Sequence, residues 1–171
     1  MDRVKGTARR ISAEASQDGL ALNDEMFNSK VAVNHYEAVL GPPSRIIEAG
    51  QQPPPAGHRN NQVHVFDEAG IYLTEHHATG LIESVNFVFD PSESPFPMEH
   101  GFSGDLTVFG FPIQADTTEN DVLAGPFRKD LPGEYSVAGE QCWVSVSLIG
   151  RRTSSGKRSK PRYVVRVSAC F

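Results

Sequence analysis

Glu75-His76-His77, with His58 and His64 close by in the chain, is the densest run of side chains able to hold a metal ion. Tetrahedral zinc needs three or four such ligands converging on one point. Neighbouring residues at the end of a strand point to opposite sides, so this run reads as a polar hairpin rim rather than a ligand set. Cys142 and Cys170 are the two thiols, and neither has a histidine near it in sequence to act as a base. No serine sits in a nucleophile elbow, and no glycine-rich loop cradles phosphate. Gly101-Phe102-Ser103-Gly104 marks a turn before Leu106. Asp67, Asp116 and Glu119 fall in turns and helix starts, where carboxylates ordinarily cap backbone N–H groups. The pattern predicts no enzyme, no metal and no cofactor.

Aromatic residues offer a different chemistry. Alternation along the predicted strands gathers His64, Phe66, Tyr72, Asn86, Phe109, Phe111 and Trp143 on a sheet face opposite to the core valines. Exposed aromatics on a sheet rarely lack a partner, and Trp and Tyr are over-represented among binding hot spots. These seven are the candidate partner-binding residues. The plainer reading is that a loop or the N-terminal twenty residues cover them.

The elements that would position them occur twice. Asn34 to Leu40 reads as a short helix stopped by Gly41-Pro42-Pro43, and Thr117 to Leu123 as another, stopped by Gly125-Pro126. After the first come strands at Val63–Phe66, Ile71–Thr74 and Leu81–Phe89; after the second, Gly133–Val137, Gln141–Ile149 and Tyr163–Ala169. Leu20–Leu22 with Met26-Phe27, and Leu106 to Ile113, are candidate strands ahead of the helices. The expected fold class is α+β: two tandem units, each a short helix plus an antiparallel β-meander, with helices on one face of the sheet. The expected division is a flexible segment 1–19, a first unit 20–90, a Pro-rich linker 91–101 and a second unit 102–171.

In the last hairpin Cys142, Val144, Val146 and Leu148 share one face, and Tyr163, Val165, Val167 and Ala169 do the same. Pairing Val144 with Val167 and Val146 with Val165 joins the two apolar sets and places Cys142 opposite Ala169. Cys170 then points to the other face, which predicts two free thiols.

With 171 residues, 39% hydrophobic and 22% charged, the chain can bury a core. No run of about 18 apolar residues and no signal-like h-region is present, so a cytoplasmic protein without membrane contact is expected. Net charge is −5. The run Arg151 to Arg162 holds six cations and no acid; without it, ten cations face 21 carboxylates, a net −11. Such a body repels nucleic acid and favours basic protein partners, while the basic run reads as a solvated hairpin tip.

The order of a short helix, Leu40 to Arg45 (Leu-Gly-Pro-Pro-Ser-Arg) and strands closing on Val85-Asn86-Phe87-Val88-Phe89 resembles the repeat shared by the β-lactamase inhibitor protein and small outer-membrane assembly lipoproteins. With Asp67 to Leu73, Phe102 to Thr107 and Asp116 to Thr118, the pattern resembles more closely an uncharacterised bacterial family of immunity-like proteins. That resemblance implies an immunity protein that binds and sterically blocks a cognate secreted toxin acting in the cytoplasm, with a basic-cleft nuclease suiting the acidic body. It implies a monomer or weak homodimer. The alternative reading is a small-molecule- or peptide-binding module on the same face; an enzyme on a cone-shaped sheet is a third.

Overall fold

The computed structural model describes residues 10–51, 61–152, 156 and 158–171. In chain order the elements are β1 (Ser12–Ser16), β2 (Gly19–Leu22), β3 (Glu25–Phe27), α1 (Val33–Leu40), β4 (Arg45–Ile47), β5 (Asn61–Phe66), β6 (Ile71–His76), β7 (Leu81–Val88), β8 (Asp105–Val108), β9 (Phe111–Ile113), α2 (Glu119–Ala124), β10 (Arg128–Leu131), β11 (Glu134–Ala138), β12 (Trp143–Arg152) and β13 (Arg158–Cys170). They form a five-stranded sheet, β3-β2-β1-β8-β9, and an eight-stranded sheet, β10-β11-β12-β13-β7-β6-β5-β4.

One apolar core lies between the sheets. The small sheet buries a single face, with Leu22, Ala13, Leu106 and Ile113 opposed in one row and Leu20, Ala15 and Val108 in the next. Its other face carries Ser12, Glu14 and Thr107, the alternation of a half-solvated sheet. The large sheet supplies Leu73, Val85, Ala169 and Val144 in one row, and Ile71, Phe87, Val167, Val146 and Tyr135 in another. The helices add single large anchors: Tyr36 stacks on Phe27 at 4.1 Å between ring centroids, and Val122 is fully buried.

The α+β expectation is overturned. The chain is mostly β, and each sheet takes strands from both halves: β1 pairs with β8, in parallel, and β7 pairs with β13. Neither half therefore has a sheet of its own for a helix to cover, and two separate helix-plus-meander units do not exist. The helices, eight and six residues long, do not make a layer. Ser12–Ser16, inside the segment expected to be flexible, is the central strand of the small sheet. Residues 1–9, most of the polar loop 51–61 with His58, and the centre of the basic run lie outside the described residues.

The last hairpin keeps the expected core face for Cys142, Val144, Val146, Leu148, Val167 and Ala169, not for Tyr163 and Val165, and not in the expected register. Val144 opposes Ala169 and Val146 opposes Val167, two residues from the pairing read in the sequence, and Trp143 opposes Cys170. A bulge between Ser147 and Leu148 then pairs Leu148 with Val164, so Val164 turns to the core where Val165 was expected. Both cysteines are free, Cys142 buried and Cys170 half-buried.

The motifs that carry the family resemblance hold the β4–β7 corner together. Buried Asp67 accepts a charge-assisted hydrogen bond from Arg45, and its backbone N–H donates to Ser44 Oγ at 3.0 Å. Its second carboxylate oxygen accepts from Glu99 N at 3.2 Å, tying down residues 91–101. Gly70 has φ +67°, and a Cβ there would stand 2.2 Å from the backbone nitrogen of Phe102. That nitrogen donates to Val88 O at 2.6 Å, so only glycine lets the two segments meet.

Candidate functional site

The outer face of the large sheet is unlike an ordinary solvated surface. Its central row reads Tyr72, Asn86, Ser168, Ser145 and Ser136 across five strands. The row on one side holds Thr74, Ser84, Cys170 and Trp143; the row on the other holds Val88, Arg166, Ser147 and Glu134. Short hydroxyl side chains dominate, and they bond to one another. Ser168 Oγ donates to Asn86 Oδ1 at 2.6 Å, and Asn86 Nδ2 donates to Ser84 Oγ at 3.0 Å and to Tyr72 O at 3.4 Å. Ser147 Oγ donates to Glu134 Oε2 at 2.8 Å. Such satisfied networks hold a polar surface rigid.

Residues 91–101 cover one half of this face. Phe96 meets Tyr72 edge-on at 5.1 Å, and with Met98 it closes a second small core over Val63, Val65 and Val88. Burial pushes the Tyr72 hydroxyl above its ordinary range, with Arg166 opposing the shift. No such segment packs over the other half, β11 to β13, among the described residues, yet Ser136, Ser147 and Ser168 are buried there and Glu134, Ser145, Arg166 and Cys170 half-buried. Trp143 stands there 44% exposed, the one large aromatic among the described residues with that much free surface. Burial, then the charge of Glu83, raises the Cys170 thiol beside it.

The seven sequence-predicted residues do not form one site. Tyr72, Asn86 and Trp143 share the outer face. His64 and Phe66 point the other way: Phe66 opposes Ile71 in the core, and His64 opposes Leu73 and bonds Glu75 Oε2 at 2.9 Å. Both faces of β5 are buried, so apolar alternation there gives no sign of which set is which. Phe109 and Phe111 belong to the other sheet. Phe109 turns the β8–β9 hairpin at φ +50°, and Phe111 packs edge-on against Phe127 at 5.6 Å. Neither histidine of the Glu75-His76-His77 run has ligand company, and no cluster of three or more metal-binding side chains occurs among the described residues.

A family model described as a domain of unknown function (DUF7738) matches residues 13–123. The chain belongs to the DUF7738 family. No curated protein and no solved structure matches it. The DUF7738 match begins in β1 and ends in α2, taking in the whole small sheet and β4–β7. It stops before β10–β13, which carry Trp143 and Arg166.

Sequence reasoning missed Arg166, Ser147 and Glu134. A signal was present: in Tyr163-Val-Val-Arg-Val-Ser-Ala-Cys170 the polar residues Arg166 and Ser168 fall at alternate positions among valines and alanine. That places a cation in mid-strand, away from any loop.

Proposed function

We propose that this chain is a non-enzymatic binding protein that engages a protein partner through the Trp143 side of the large sheet's outer face. The partner in this reading is a bacterial toxin acting in the cytoplasm, neutralised by occlusion of its active cleft. Trp143 is the observation that supports it most. A tryptophan 44% exposed, with half-buried Arg166 on the same surface, matches the composition of protein hot spots. The resemblance to immunity-like proteins supplies the nature of the partner, and the net charge of −5 suits a basic one.

A second reading, binding of a small ligand, has one observation in its favour. A cavity of about 530 Å³ opens beside the β12–β13 hairpin, lined by Phe89, Asp90, Glu93, Tyr163 and Val165 among others. That volume suits a small molecule. Its carboxylates, however, are already engaged: Asp90 accepts from Ser92 N and Oγ, and Glu93 pairs with Arg158 at 3.1 Å.

Mixing the purified chain with the product of the gene immediately upstream, tested as a candidate toxin, checks the first reading. A stoichiometric complex and loss of toxin activity are expected, with an association rate that falls steeply as salt rises. No complex and no neutralisation would contradict it.

A further inference from the structure

Arg166 is a cation set in the middle of a sheet, between Val88 on one neighbouring strand and Ser147 on the other. Six arginines have described side chains, and five hold a carboxylate: Arg10 on Asp105, Arg45 on Asp67, Arg128 on Asp130, Arg158 on Glu93 and Arg162 on Glu119. Arg166 holds none among the described residues. One terminal nitrogen donates to Tyr72 Oη at 3.4 Å and the other to Ser147 Oγ at 3.5 Å, both at the far limit of hydrogen bonding. Nε is buried and donates to nothing.

A guanidinium carries five N–H donors in a rigid fork and never loses its charge in this setting. Leaving it half-desolvated, with Nε buried and both terminal nitrogens only weakly bonded, is costly unless an anion offsets its charge. We infer that Arg166 is the receptor for a carboxylate carried by the partner, an Asp or Glu side chain that meets the accessible part of the half-buried guanidinium. The inference deepens the proposed partner face and rests on that reading. Charge selects the carboxylate. Glu134 stands on the same row, two strands away and already bonded to Ser147. A lone cation facing it suits a singly charged ligand better than a doubly charged phosphate. Trp143 lies roughly 13 Å along the sheet, four residues of strand at about 3.3 Å each. The face thus offers an apolar anchor at one end and a charged anchor at the other, with half-buried Ser145 between. A partner is recognised by an acid held at that spacing from an apolar contact.

Arginine Nε–H signals of the full-length, nitrogen-15-labelled protein read the site directly. The Arg166 signal is identified by its absence in Arg166→Lys. Sodium acetate replacing sodium chloride at constant ionic strength is expected to move it saturably, while the already paired Arg45 and Arg162 signals stay in place. No movement, or the same drift in all three, overturns the site. A tighter response to sodium phosphate than to acetate overturns the carboxylate assignment. With that candidate toxin, Arg166→Gln and Trp143→Ala are each expected to weaken binding tenfold or more. Loss with Trp143→Ala alone overturns the carboxylate site and leaves the face as a binding surface. A saturable acetate shift with no toxin binding leaves the site and overturns the toxin reading.

Discussion

Tyr36 shows how a single side chain can be indispensable in one part and idle in another. Its ring is fully buried and stacked on Phe27, yet its hydroxyl has no hydrogen-bond partner, and burial pushes its ionisation far above the ordinary range. Tyr36→Phe keeps the ring and removes an unsatisfied polar atom, so stability is expected to hold or rise by up to about 1 kcal/mol. Tyr36→Ala empties the site and should cost about 3–5 kcal/mol. Urea titration of both variants checks this; a clear loss in Tyr36→Phe would mean the hydroxyl is bonded. Cys142 is a second residue governed by burial, which raises its thiol to about 11, helped by Cys170. Native protein at pH 8 should leave Cys142 unalkylated, and unfolding without reductant should expose two reactive thiols. Finding none would contradict the free cysteines. Their opposite faces were legible in the sequence, because valine alternation fixes parity even when register slips by two.

At the scale of elements, turns and caps carry specific loads. Thr118 and Asp121 form a capping box at the start of α2, the Thr118 hydroxyl donating to the Asp121 carboxylate at 2.6 Å. Gly70 and Gly80 are a sharper pair, since both have positive φ, +67° and +65°, but only Gly70 faces backbone in its path. Gly80→Ala should cost about 1–2 kcal/mol for the left-handed conformation alone. Gly70→Ala adds a backbone clash and should cost about 3 kcal/mol or more. Equal thermal shifts in the two variants would remove the close approach of Phe102 as a constraint. Both helices and most strands were legible, because proline and glycine punctuate them and valines alternate within them. The architecture was not. Strand pairing between distant segments, such as Ala13 with Leu106 and Ala169 with Val85, leaves no mark in local pattern. The β13 bulge that turns Val164 inward and Val165 outward is equally silent. In β5 the signal failed for a physical reason: Phe96 and Met98 cover one face and the core covers the other, so His64 and Val65 both end up buried.

For the whole molecule, the shared sheets make the two halves interdependent, and one cooperative unfolding transition is expected. Its pH dependence follows from the tyrosines. Burial raises Tyr36, Tyr72 and Tyr135 above the ordinary value near 10, Tyr135 to about 12 with Glu119 adding to the effect. In the unfolded chain they lose protons near pH 10, while in the folded chain they keep them. Stability is therefore fully present below pH 10 and lost as pH rises from there through about 12. Thermal midpoints measured from pH 9 to 11.5 should fall in step with tyrosinate absorbance, and a flat profile would contradict the burial of these hydroxyls. The proposed partner face is the other property of the whole molecule, and Trp143 separates an interface anchor from a side chain that serves the fold. Calorimetric binding of the candidate toxin, the product of the upstream gene, to the wild-type chain and to Trp143→Ala, with thermal midpoints for both, is the most direct measurement. The account predicts an affinity weakened by about 2 kcal/mol, roughly thirtyfold, with an unchanged midpoint. An unchanged affinity, or a midpoint that falls as for a core truncation, would contradict it.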